Sequence, residues 1–68
     1  MGIALRQLTQ RIREEFEEAP GLRLTVDEGA RFWGLDLHTC EQVLSHLFTV
    51  GFLTMGRDRR YAQTSAHT

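Results

Sequence analysis

The sequence predicts a small, mostly helical α+β domain with three helices, one short strand and a C-terminal β-hairpin. Three observations predict it. Apolar residues recur at spacings of three and four over residues 3–19 and again over 36–50. Between these stretches, Thr25-Val26-Asp27-Glu28 has the form of a box that opens a helix. After Gly51 the apolar period drops to two, as in a strand. The 68 residues make one domain, spanning 1–62, and a small polar tail, 63–68, expected to be flexible. At this size, apolar burial worth roughly 25 cal/mol per Å² barely exceeds an ordering cost of about 1.5 kcal/mol per residue, so a partner subunit would help.

Leu5, Leu8, Ile12 and Phe16 form one stripe and make 3–19 an amphipathic helix. Arg11 with Glu15, and Arg13 with Glu17, stand at i,i+4 with Arg first, the weaker order. Glu14, Glu15, Glu17 and Glu18 lie in the last turns, where the helix dipole disfavours anions. Those acids therefore serve solvation, the repulsion of DNA from that side, or a basic partner. Pro20-Gly21 stops the helix, and Leu22-Arg23-Leu24 alternates as a short strand with both Leu inward.

The box at Thr25 starts a second helix with Val26, Ala30 and Trp33 on its inner side, and the small Ala30 is expected where it meets the third helix most closely. Phe32 lies about 100° from that inner line and either packs under the first helix or is exposed. With Ile3 it is the candidate surface for a homodimer. Gly34 ends this helix, Leu35 plugs the turn, and Asp36 caps a third helix.

On the third helix Leu37, Cys40, Val43, Leu44, Leu47 and Phe48 gather on one side. His38, Thr39, Gln42, Ser45, His46 and Thr49 form an opposite, polar side. Gly51 closes the helix. Leu53 and Met55 then point one way, Arg57-Asp58-Arg59-Arg60 is a polar turn, and Tyr61 resumes an apolar position on a returning strand. Arg59 follows Asp58 where tight turns often place Gly, so it either takes a positive φ or changes the turn.

Several function classes are poorly served by these residues. There is no nucleophile, base and orienting group in one place and no glycine-rich phosphate loop, and the chain is short for enclosing a substrate, so a non-enzyme without cofactor is expected. His38 and His46 are eight positions apart on one helix, roughly 12 Å, too far to share an ion, so no metal site is expected. The single cysteine, Cys40, excludes an intrachain disulfide and suits a reduced, buried thiol. No stretch is apolar for long enough to cross a membrane, and a cytoplasmic protein is expected. Net charge is −1, yet all eight basic residues are Arg, and Arg57, Arg59 and Arg60 cluster far in sequence from the four Glu. The molecule is expected to be polarised.

The pattern Thr25-x-x-Glu28-x-Ala30-Arg31-x-x-Gly34-Leu35, then Val43-Leu44-x-x-Leu47, then Gly51-Phe52-Leu53 and Arg60-Tyr61 resembles the winged helix-turn-helix domain of bacterial transcription regulators. It is similar, too, to small stand-alone open reading frames of this pattern. The resemblance covers residues 22–62, with 3–19 fitting the first helix. It implies that the 36–50 helix enters a major groove of double-stranded DNA and that the loop 57–60 is a wing on the backbone or minor groove.

On that reading Gln42 is placed to pair with adenine, with His38, Thr39, Ser45 and His46 adding edge or phosphate contacts. Arg57, Arg59 and Arg60 are the phosphate candidates. No Arg or Lys lies between Asp36 and Val50, so the hairpin arginines are left to hold the helix in place. The same absence supports the alternative, a non-catalytic protein-protein interaction module on the same fold.

Overall fold

Two helices begin where side chains take up backbone amides. The Glu28 amide donates to Thr25 Oγ1 at 3.1 Å and the Thr25 amide donates to Glu28 Oε1 at 2.9 Å, closing the box that opens α2 (Val26–Trp33). The Thr39 amide donates to Asp36 Oδ2 at 3.1 Å at the start of α3 (Leu37–Thr49). Before them run α1 (Gly2–Glu18) and β1 (Arg23–Leu24), and after them β2 (Leu53–Met55) and β3 (Tyr61–Gln63). This computed structural model describes residues 2–64, with side chains from residue 5 onward. The Ile3 side chain and residues 65–68 of the tail lie outside the described residues.

The three strands form one antiparallel sheet in the order β1-β3-β2, with Leu24 opposite Tyr61 and Met55 also opposite Tyr61. Gln63 pairs with Leu53, and the Thr64 amide donates to the Phe52 carbonyl at 2.9 Å, so ordered structure runs past residue 62. The chain is thus a mostly helical α+β fold in the element order that the sequence suggests.

Every element contributes to one core. Ile12 and Phe16 of α1, Leu24 of β1, Ala30 of α2, Cys40, Val43, Leu44 and Leu47 of α3, and Leu53 and Tyr61 of the sheet are buried. Trp33 packs against this cluster with its ring centroid 6.1 Å from that of Phe16. Gly34 turns the chain between α2 and α3 at φ 68°, where a β-carbon would be strained, and the Leu35 amide reaches back to the Ala30 carbonyl at 2.8 Å.

Two expectations change and one is extended. Beside the buried Ala30, Gly29 must also stay small at the crossing with α3: a β-carbon there would stand 3.1 Å from Cys40 Sγ of α3 and 2.9 Å from Cζ3 of Trp33 on its own helix. Leu37 and Phe48 are not core residues but are 53% and 48% exposed, at the two ends of the apolar side of α3. Phe48 is set edge-on to Tyr61, with ring centroids 6.1 Å apart. Of the two i,i+4 pairs on α1, only Arg13–Glu17 is closed, at 3.6 Å.

Candidate functional site

The outward side of α3 presents His38, Gln42, Ser45 and His46, all exposed. Thr39 is not among them. Its hydroxyl donates to Asp36 Oδ1 at 2.7 Å while its amide donates to Oδ2, so both polar groups serve the helix cap. Those bonds, that of the hydroxyl first, hold the Asp36 carboxyl below its usual range. On the flank toward the sheet, Glu41 lies near enough to Tyr61 to add to the effect of burial in pushing the phenol up.

The hairpin loop separates its three arginines. Arg59 donates its amide to the Gly56 carbonyl at 3.1 Å, and the Gly56 amide donates to the Arg60 carbonyl at 3.0 Å. This is a tight turn followed by a left-handed residue, a form that closes many hairpins. Arg59 occupies the left-handed position at φ 66°, so it takes the strained conformation and leaves the turn intact.

Arg60 is drawn back onto the fold. Its Nε and Nη2 donate to Glu28 Oε1 and Oε2 at 3.2 and 3.0 Å, and its Nη1 donates to Asp58 Oδ2 at 3.2 Å. Asp58 also accepts from the Arg60 amide at 3.1 Å and from Arg23 Nη2 at 3.4 Å. The Arg60 guanidinium, and then the Thr25 amide, hold the Glu28 carboxyl low. The Arg60 amide does the same for Asp58, and Glu28 in turn raises Arg60. Glu28 thus caps α2 and anchors the loop. Arg57 and Arg59 are exposed and form no ion pair among the described residues.

On the other flank of α3, an open cleft of about 830 Å³ separates it from α1. Gln42, Ser45 and His46 line one wall, and Arg6, Gln10 and Arg13 line the other. Arg6 is exposed and forms no ion pair among the described residues, whereas Arg13 lies 4.8 Å over the Phe52 ring as well as near Glu17. Arg6 and Arg13 are the candidates that sequence reasoning missed. Their seven-residue spacing, two helical turns, put them on one edge of α1. Only packing shows that this is the edge beside α3.

Cys40 is buried, its Sγ 3.5 Å from the Val26 carbonyl, and burial pushes its thiol up. Among the described residues no three His, Cys, Asp or Glu are grouped to hold a metal ion, and no helix is long and apolar enough to cross a membrane. Comparison with protein-family models, curated proteins and solved structures found no match to this chain.

Proposed function

We propose that this chain is a small winged helix-turn-helix DNA-binding protein, a non-catalytic transcriptional regulator. In this reading α3 is presented to a major groove and the 57–60 loop is the wing. The observation that carries it is a polar helix face with two arginines across the cleft from it. Gln42, Ser45 and His46 offer amide, hydroxyl and imidazole groups for base edges, and Gln42 is suited to adenine. The cations that α3 lacks stand on neighbouring elements, Arg6 and Arg13 across the cleft and Arg57 and Arg59 in the loop. Phosphate contacts of this kind position a helix while the helix side chains read sequence.

An anisotropy titration against random-sequence duplex DNA at two salt concentrations tests the reading. Binding at low salt that weakens steeply with added salt is the expected result, since each neutralised phosphate contributes about −0.9 to the slope of log K against log salt. Absence of binding at low salt would overturn it.

A second reading, a protein-interaction module, is favoured by one observation. Leu37 beside α2 and Phe48 beside Tyr61 are half-exposed at the two ends of α3, and Met55 of β2 is 40% exposed. Replacing Leu37 and Phe48 with Ser separates the two. DNA affinity within about twofold of the parent is expected if the arginines supply most of it, whereas a stoichiometric protein partner held by the parent and lost in the variant would favour the apolar side chains.

A further inference from the structure

Four charged side chains from three parts of the fold meet beside the hairpin loop. Arg60 donates from Nε and Nη2 to the two carboxylate oxygens of Glu28 on α2, and from Nη1 to Asp58 in its own loop. Asp58 also accepts from Arg23 of β1 at 3.4 Å. Two cations and two anions therefore close into a group with no net charge. The group is open to solvent, with its side chains between 40% and 56% exposed.

The backbone bonds at this place do not require charge. Glu28 Oε1 accepts from the Thr25 amide and Asp58 Oδ1 from the Arg60 amide, and the oxygen of a neutral amide side chain can take either bond. What the two negative charges add is their grip on the Arg60 guanidinium. Exposed ion pairs stabilise a fold only weakly, so the larger consequence is for what Arg60 can reach.

We infer that Glu28 and Asp58 form an autoinhibitory clamp that withholds Arg60 from DNA phosphate, an inference that rests on the DNA-binding reading of the loop. The 57–60 loop then meets DNA with two arginines, Arg57 and Arg59, in place of three. A phosphate would have to displace three charge-assisted bonds made to two carboxylates, and it brings one negative charge in place of two. The clamp therefore stays closed on DNA. Its effect is to moderate binding to duplexes of any sequence, because a phosphate contact adds affinity without reading bases.

Salt titration of random-sequence duplex binding by the whole chain tests the clamp, with Glu28→Gln and Asp58→Asn combined. Each amide keeps the acceptor for its backbone N–H and leaves the guanidinium without a carboxylate. One further phosphate contact should steepen the slope of log K against log salt by about 0.9. The same change frees Arg23, so the pair is also made together with Arg60→Ala. The slopes of the two sets should differ by about 0.9, whereas Arg60→Ala alone should keep the parent's slope. Circular dichroism checks that each variant is folded; if the combined variant is not, Glu28→Gln alone carries the test, with a smaller steepening. A parent that binds DNA and a released variant with the parent's slope would overturn the clamp alone. Steepening undiminished by Arg60→Ala would do the same, assigning it to the loss of negative charge. A parent that binds no DNA at low salt would overturn the DNA reading and the clamp with it.

Discussion

The hairpin loop and α1 both present arginines, but they hold them differently. In the loop, three arginines lie within four positions, and the fold takes one of them: Arg60 is bound on both sides by Glu28 and Asp58. On α1, Arg6 and Arg13 are separated by two turns, and neither is tied to another element by an ion pair among the described residues. Density of charge in sequence is therefore a poor measure of charge available to a partner. A cation close to a carboxylate that also caps a helix becomes part of the scaffold, and its neighbours are presented by it.

The widest test of this difference is on DNA. Arg57 and Arg59 changed together to Ala should flatten the salt dependence by about two contacts' worth, near 1.8 in slope. Arg6→Ala alone should flatten it by about 0.9. Arg60→Ala should instead act mainly through the fold, lowering the thermal midpoint; if it changes the salt slope as much as Arg57→Ala, the contrast fails.

Stability sharpens the contrast next. Thr25→Ala removes one cap bond and should cost about 1 kcal/mol, or roughly 4–8 °C in thermal midpoint for a domain of this size. Glu28→Ala removes both the reciprocal cap bond and the anchor of Arg60, and its midpoint should fall below that of Thr25→Ala in the same melting experiment. Arg59→Gly acts in the other direction. It relieves a left-handed non-glycine residue and should stabilise the chain by about 1 kcal/mol, while removing one free cation from the loop.

Acid should undo the loop anchor. Glu28 and Asp58, with Asp36 at the α3 cap, have carboxyls held below their ordinary values of 4.5 and 3.8. The unfolded chain then binds protons more readily than the folded one, so this contribution is complete above those values and is lost as the pH falls through and below them. Urea midpoints measured from neutral pH downward should stay level and then decline in that window, and the decline should be shallower in Glu28→Gln. The smallest effect is expected on α1. Glu17→Ala breaks an exposed pair and should change stability by less than about 0.5 kcal/mol, leaving Arg13 over Phe52.

Much of the architecture was legible in the residues. The Thr25–Glu28 box, the Asp36 cap, Gly34 and the change of period after Gly51 each have a local cause, so the six elements and their order follow from short-range chemistry. Arg59 was legible as a choice between strain and a different turn, and the fold took the strain. Helical periodicity placed Gln42, Ser45 and His46 on the solvent side of α3 for the same local reason.

Tertiary structure decided the rest, because the remaining questions concern which surfaces meet. A helical stripe tells which side is apolar, but not how wide a neighbour covers it, so Leu37 and Phe48 were read as buried and are half-exposed. Side-chain size alone pointed to Ala30, and only the packed helices show that Gly29 too must stay small, with Cys40 Sγ 3.1 Å from where its β-carbon would be. Most of all, Glu28 and Arg60 are 32 positions apart, and nothing local in either marks the other as its partner. The sequence by itself determined that helices would form, where they would start, and that arginines would cluster in a hairpin. Only the packing of the sheet against α2 decided which of those arginines belongs to the scaffold and which remain at the surface, because an ion pair across the fold depends on distances that exist only once the chain has closed.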